Sequence, residues 1–274
     1  MLRCFGIILV VLVLLLAGCS PERNLARQYV KSHTGNGIMV IPLNELFKDN
    51  LSLRYDTIIK YNPDQLDSMA WAQSLFIKRV SDSIFLTLFT NSLIDELTIN
   101  GYDVYVDGSS DVFLSLPDPK WVLQIAQLQL NEGHSYNYYE VYSEESGEAY
   151  YDSLRINGVS LSSWFEVSRA NTDNKQVLFL EGYIQDKIKR GIDLNLLEGT
   201  IGLQQNRRAI EMNDIYNMAN QLGKKHAELL FDYFINDFIR ENIPAGIVNR
   251  KYFYYDHKSK SLKKGQKERF DVVK

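Results

Sequence analysis

The pattern of apolar and polar positions divides the chain at about residue 20. Ile7 to Leu16 reads IILVVLVLLL, an unbroken apolar run behind the single basic residue Arg3. A permanent membrane helix needs roughly 20 apolar residues, so this run has the length of a signal-peptide core. Beyond it, Ser20 to Asn36 is polar, with only Leu25 and Tyr29 at helical spacing, and reads as a tether. Ile38 to Ile41 is a short apolar strand stopped by Pro42. Asn44 to Gln73 reads as an inserted loop with a Pro63-Asp64 turn.

The strongest periodicity follows. Ile77, Val80, Ile84 and Leu88 recur at helical spacing, and Phe85, Phe89, Leu93 and Leu97 widen the apolar face. This predicts a helix over about Leu75–Leu97 buried against a sheet, with Gly101 as its stop. Strands are expected at Tyr102–Val106 and Trp121–Leu130. Two hairpins should follow. Tyr136–Tyr142 pairs with Tyr150–Ile156 around Glu145-Ser146-Gly147-Glu148, and Leu161–Ser168 pairs with Gln176–Ile184 across 171–174. Gly191 to Glu211 reads as a loop. A second helix over about Asn213–Glu241 ends before Pro244 and Gly246. The expectation is an α+β fold: a mixed, largely antiparallel sheet with two main helices packed on it. The organisation is 1–18 signal, 19–36 anchor and tether, 37–242 folded domain, and 243–274 a basic tail.

The segment Leu16-Ala17-Gly18-Cys19 resembles the lipobox of bacterial lipoproteins. The resemblance implies cleavage before Cys19, acylation of Cys19, and attachment to a membrane through that lipid. Several buried acyl chains hold a protein far more firmly than one. Ser20 resembles the sorting signal of outer-membrane lipoproteins, so the cell envelope, and its outer membrane, is the expected location. Cys4 is the only other cysteine. The mature chain therefore has no thiol pair for a disulfide or thiolate metal site.

The element order resembles small periplasmic domains: the N-terminal domain of TolB, the curli secretion lipoprotein, and the lipoproteins that activate penicillin-binding proteins. The stretches that carry it are GIMVIPLNEL, SIFLTLFTNSLIDELTINGYDVYVD, KWVLQIAQLQL, WFEVSRANTDNKQVLFLEGYI and ANQLGKKHAELLFDYF. The long segments 44–73 and 191–211 depart from the compact form of that domain. The resemblance implies a protein that acts by binding other proteins.

Candidate chemistry adds little. The net charge is −4, and loss of Arg3 with the signal makes it −5. Nucleic acid is thereby excluded as the main partner, since duplex binding needs a dense basic surface. His33, His134, His226 and His257 show no HxH or HxxxH spacing, so no metal and no cofactor are expected. His226, between Leu222 and Leu230, reads as a core histidine. Asp107-Gly108-Ser109-Ser110-Asp111 lacks the order of a calcium loop, and Gly199-Thr200-Ile201-Gly202 lacks a phosphate-loop lysine. No nucleophile elbow is present.

Three features stand out from this background. Tyr136, Tyr138, Tyr142 and Tyr150 concentrate on the first hairpin, where an exposed aromatic face would form a docking surface. Lys258, Lys260, Lys263, Lys264, Lys267 and Arg269 make the tail basic, as a solvated segment or a contact for anionic head groups. Thr57 and Ser68, in the expected loop, resemble a bacterial Asp-Ser/Thr-aliphatic O-glycosylation acceptor, as do Ser83 and Ser153. The expected function is a non-enzymatic envelope lipoprotein that docks a protein partner. The alternative is an envelope enzyme or small-ligand binder. A pocket lined by acids, His and Arg would favour the alternative, and a flat tyrosine-rich sheet face the docking role.

Overall fold

The computed structural model describes residues 20–52, 63–117, 120–142, 149–170, 172, 174–195, 200–244 and 251–273. Its helices are α1 (Pro21–Ser32), α2 (Pro63–Gln73), α3 (Asp82–Ile99), α4 (Ser110–Ser115) and α5 (Met212–Asn242). Its strands are β1 (Gly37–Ile41), β2 (Phe47–Asn50), β3 (Asp103–Tyr105), β4 (Lys120–Tyr142), β5 (Ala149–Arg169) and β6 (Lys175–Gln185). They continue with β7 (Lys187–Asn195), β8 (Thr200–Arg208), β9 (Tyr252–Asp256), β10 (Ser261–Gly265) and β11 (Asp271–Val273).

The main sheet runs β11-β6-β5-β4-β1-β3, and β2 also pairs with β4. From β4 through β11 the pairing is antiparallel; β1 and β2 lie parallel to β4, and β3 parallel to β1. The fold is α+β with the two main helices on one face of the sheet, as the periodicity predicts. Leu123, Ile125, Leu128 and Leu130 of β4, and Val159, Leu161, Phe165 and Val167 of β5, are buried on that face. Phe85, Phe89, Leu93 and Leu97 of α3 and Ile215, Met218 and Leu222 of α5 cover them. Each such side chain contributes about 1.5–3 kcal/mol through burial. The helices touch closely at Gly223. A Cβ there would sit 2.3 Å from the Phe89 carbonyl oxygen and 3.0 Å from Ser92 Cβ.

Several boundaries differ from the sequence expectation. The first main helix begins at Asp82, capped by Ser81 Oγ on the Ile84 N–H, because Leu75 to Ile77 are held elsewhere. The Glu132 carboxylate accepts from the N–H groups of Leu75 (2.7 Å), Phe76 (3.0 Å) and Ile77 (3.1 Å), and from Ser74 Oγ (2.8 Å). The four short strands expected between Trp121 and Ser168 are two long ones. Gly133 and Gly158 face each other within the ladder. The segment 44–73 carries β2 and α2, and 191–211 carries most of a β7–β8 hairpin.

The stretch read as a tether is α1, capped by Ser20. Ala26 and Tyr29 are buried, and Tyr29 packs on Phe231 and Phe238 of α5. The Tyr29 hydroxyl lies 2.7 Å from that of Tyr102. The stretch read as a basic tail carries β9, β10 and β11. Asn236 of α5 donates to the Phe253 carbonyl (2.6 Å) and accepts from its N–H (3.0 Å). One helical turn earlier, Asp232 accepts from the Tyr255 N–H at 2.7 Å. Two helical side chains thus satisfy backbone groups of β9 that its other edge leaves open. β11 then adds an edge strand beside β6.

Candidate functional site

β6 stops pairing with β5 at Gly158, and β2 stops pairing with β4 at Glu132. Among the described residues, Gly133–Tyr142 and Ala149–Asn157 therefore pair only with each other, as a two-stranded arm with two open edges. Side chains alternate along a strand. His134, Tyr136 and Tyr138 thus continue the face that carries Leu128, Leu130 and Glu132. The helical cover does not extend along the arm. Tyr136 is 43% exposed and Tyr138 70%. Their rings are 6.4 Å apart, and His134 meets Tyr136 edge-on at 5.2 Å. The result is a row of three aromatic rings, half-buried at His134 and exposed at Tyr136 and Tyr138.

The root of the arm is fixed by Asp186, a buried residue between β6 and β7. Its carboxylate accepts from the Asn157 N–H (2.9 Å), the Ile210 N–H (2.9 Å) and Arg207 Nε (3.1 Å). Its own N–H donates to the Asn157 carbonyl at 2.9 Å. One carboxylate joins β5, the β7–β8 hairpin and the entrance to α5. Hydrogen bonds to a charged acceptor are individually worth about 1.5–3 kcal/mol. Beside this root, paired Gly133 and Gly158 leave a hollow of about 240 Å³ walled by Asn131, Ser135 and the exposed Tyr183. Among the described residues, nothing beyond its chain neighbours lies within 4 Å of a Cβ placed on Gly133.

Of the residues singled out in the sequence, Tyr136 and Tyr138 come together on this row. Tyr142 and Tyr150 lie at the far end of the same arm, in register with Ala149 and Val141; their side chains are outside the described residues. Cys19 and Thr57 are also outside the described residues. Ser68 is exposed, on α2 rather than in a loop. His226 is a core residue as expected. Its Nδ1 meets the Leu222 carbonyl at 2.5 Å, and Phe89 and Phe165 flank the ring. Burial lowers its pKa to about 4, so it is neutral at pH 7. Among the described residues, no group of three or more His, Cys, Asp or Glu is placed to hold a metal.

A second concavity of about 840 Å³ lies between α5, β6 and the C-terminal strands, where Lys225, Glu228, Lys264 and Arg269 meet. Burial raises the Glu228 carboxyl above its usual range, against the pull of Arg269. Arg269 also sits over the Tyr254 ring at 3.7 Å and 3.6 Å from Asp232. Burial outweighs the Tyr255 N–H and Arg269 in setting Asp232 at about 7.

Asp186, Glu132, Tyr183 and the Gly133–Gly158 pair escaped the sequence reading. Single acids and glycines inside strands carry no local signal of the long-range partners they meet. Compared with known protein families the chain matches none, and no characterised protein shows significant sequence similarity to it.

Proposed function

We propose that this chain is a lipid-anchored envelope protein whose α+β body presents the 133–157 arm to a protein partner, with no chemistry of its own. The observation that supports this most is the His134–Tyr136–Tyr138 row, whose two tyrosines are exposed on a strand face whose earlier residues are core. Tyrosine supplies large contact area at small entropy loss. The two open edges of the arm also suit addition of a partner strand. The anchor rests on Leu16-Ala17-Gly18-Cys19. Cys19→Ala should shift the protein from the detergent phase to the aqueous phase on partitioning; retention in detergent contradicts an acyl anchor. For docking, a photocrosslinking residue at position 138 should trap one discrete envelope protein in intact cells. The same group at Tyr216, half-buried on α5, should not. Equal yields from both positions contradict the reading.

A second reading, a small-ligand binder, is favoured by the 840 Å³ concavity and the raised carboxyls of Glu228 and Asp232. Native mass spectrometry of protein purified from its host would then show an added small molecule, lost in Glu228→Gln.

A further inference from the structure

The anchor leaves little slack. Ser20, the residue after Cys19, is already the N-cap of α1, and α1 is packed on α5 through Ala26 and Tyr29. A lipid on Cys19 would therefore hold the body against the membrane rather than on a long leash. The face of α1 turned from the core carries Arg23, Arg27 and Lys31, spaced by four so that they form one row. Opposite them stands Lys260, at the turn between β9 and β10, held in the left-handed region at φ 47°. These four cations line a groove of about 320 Å³ with Val30 and Leu262 on its floor.

Among the described residues, no acidic side chain lines this groove. Of the acids on the same elements, Glu22 meets Lys251 at 3.7 Å, and Asp256 meets Lys263. At 1.5 Å rise per residue, Lys31 is only about 18 Å from Cys19 along the helix. The whole row thus falls within reach of the surface that holds the anchor.

We infer that this groove is a second membrane contact, which takes the phosphate head groups of anionic phospholipids in the leaflet that carries the acylated Cys19. The inference rests on the lipoprotein reading. It also gives the molecule a direction. α1 packs on Phe231 and Phe238, in the C-terminal half of α5, while Asp186 ties the arm to Ile210 just before that helix begins. α5 is about 45 Å long at the same rise. Membrane contact and docking arm are at opposite ends of it, so the body stands the aromatic row away from the lipid.

The test uses the chain as its host makes it, reconstituted into vesicles of phosphatidylcholine alone or with phosphatidylglycerol. A water-soluble amine reagent then reports Lys31 and Lys260 against Lys187, at the arm end. The groove predicts severalfold slower labelling of Lys31 and Lys260 on anionic vesicles only, reversed by high salt. Arg23→Gln with Arg27→Gln, both exposed, should weaken anionic-vesicle partitioning of the lipid-free form about twenty-five-fold, at about fivefold per cation. Equal labelling on both vesicles, with the acyl mass present, overturns the groove and leaves the anchor. Protection on anionic vesicles with no acyl mass keeps the groove and overturns the anchor. Equal labelling without the acyl mass overturns both.

Discussion

β4 and β5 pass through two environments without a break. Between Leu123 and Glu132, β4 lies under α3 and α5, and its inward residues are almost completely buried. From His134 onward the same strand, in the same register with β5, has no helix above it among the described residues. The residues on that face change from Leu128 and Leu130 to Tyr136 and Tyr138. The pairing of β4 with β5 is alike in the two regions; what differs is the cover and the flanking strands, since β2 and β6 stop at Glu132 and Gly158. The β4–β5 ladder alone therefore does not tell core from interface, whereas the extent of the helical layer and of the flanking strands does. The same holds for two glycines. Gly223 is needed because α3 presses on it, whereas a Cβ on Gly133 would meet none of the described residues beyond its neighbours within 4 Å.

Gly223→Ala should give the largest effect. Its Cβ would meet backbone atoms of α3, which cannot rotate away, so a loss of about 3 kcal/mol in chemical denaturation is expected. Gly133→Ala should be close to neutral by the same measurement. If the two substitutions cost alike, the distinction between covered and uncovered regions fails.

Glu132→Ala comes next. It strips acceptors from the N–H groups of Leu75, Phe76 and Ile77 at the last covered position of β4. A loss of about 2–3 kcal/mol is expected, since each buried donor left unpaired costs about 1–3 kcal/mol and such costs do not simply add. Amide exchange should accelerate first at 74–78.

Asp232→Asn tests the covered side by pH. The folded carboxyl at about 7 lies above its ordinary value of 3.8, so the native state holds the proton more tightly than the unfolded chain. Stability from this group is therefore full at low pH and declines as pH rises from 4 through 7. An Asn cannot ionise, and it can still accept from the Tyr255 N–H. The melting temperature of the variant relative to wild type should rise between pH 5 and pH 7 and level off above that. A constant difference across that range contradicts the assignment.

The legible part of this fold lay where local pattern and final environment agree. Phe85, Phe89, Leu93 and Leu97 mark α3, and the Asn213–Glu241 periodicity marks α5, because each helix buries its own stripe. Helix α1 was only faintly legible, through the spacing of Leu25 and Tyr29, because few of its side chains are apolar: Ala26 and Tyr29 are buried, and Leu25 and Val30 pack on the core in part. The lysines of the last 25 residues concealed β9 to β11; β9 is held by Asp232 and Asn236, on a helix 17 to 23 residues away, and β11 by β6. Of the candidate site, the tyrosines were visible as composition. Their exposure was not, since it depends on where α3 and α5 end over the sheet. The row Arg23, Arg27, Lys31 was readable by spacing, but its meaning needed Lys260 across the groove.

The smallest stability effect belongs to the arm, and it bears on the central claim. Tyr136→Ser combined with Tyr138→Ser should leave the melting temperature within about 4 °C of wild type. Exposed substitutions shift stability by at most about 0.5 kcal/mol each. The same double variant should no longer retain the envelope protein crosslinked through position 138. A melting temperature lowered by 10 °C or more, as burial of two aromatic rings would require, contradicts the docking role. So does undiminished capture of that protein by a well-folded double variant.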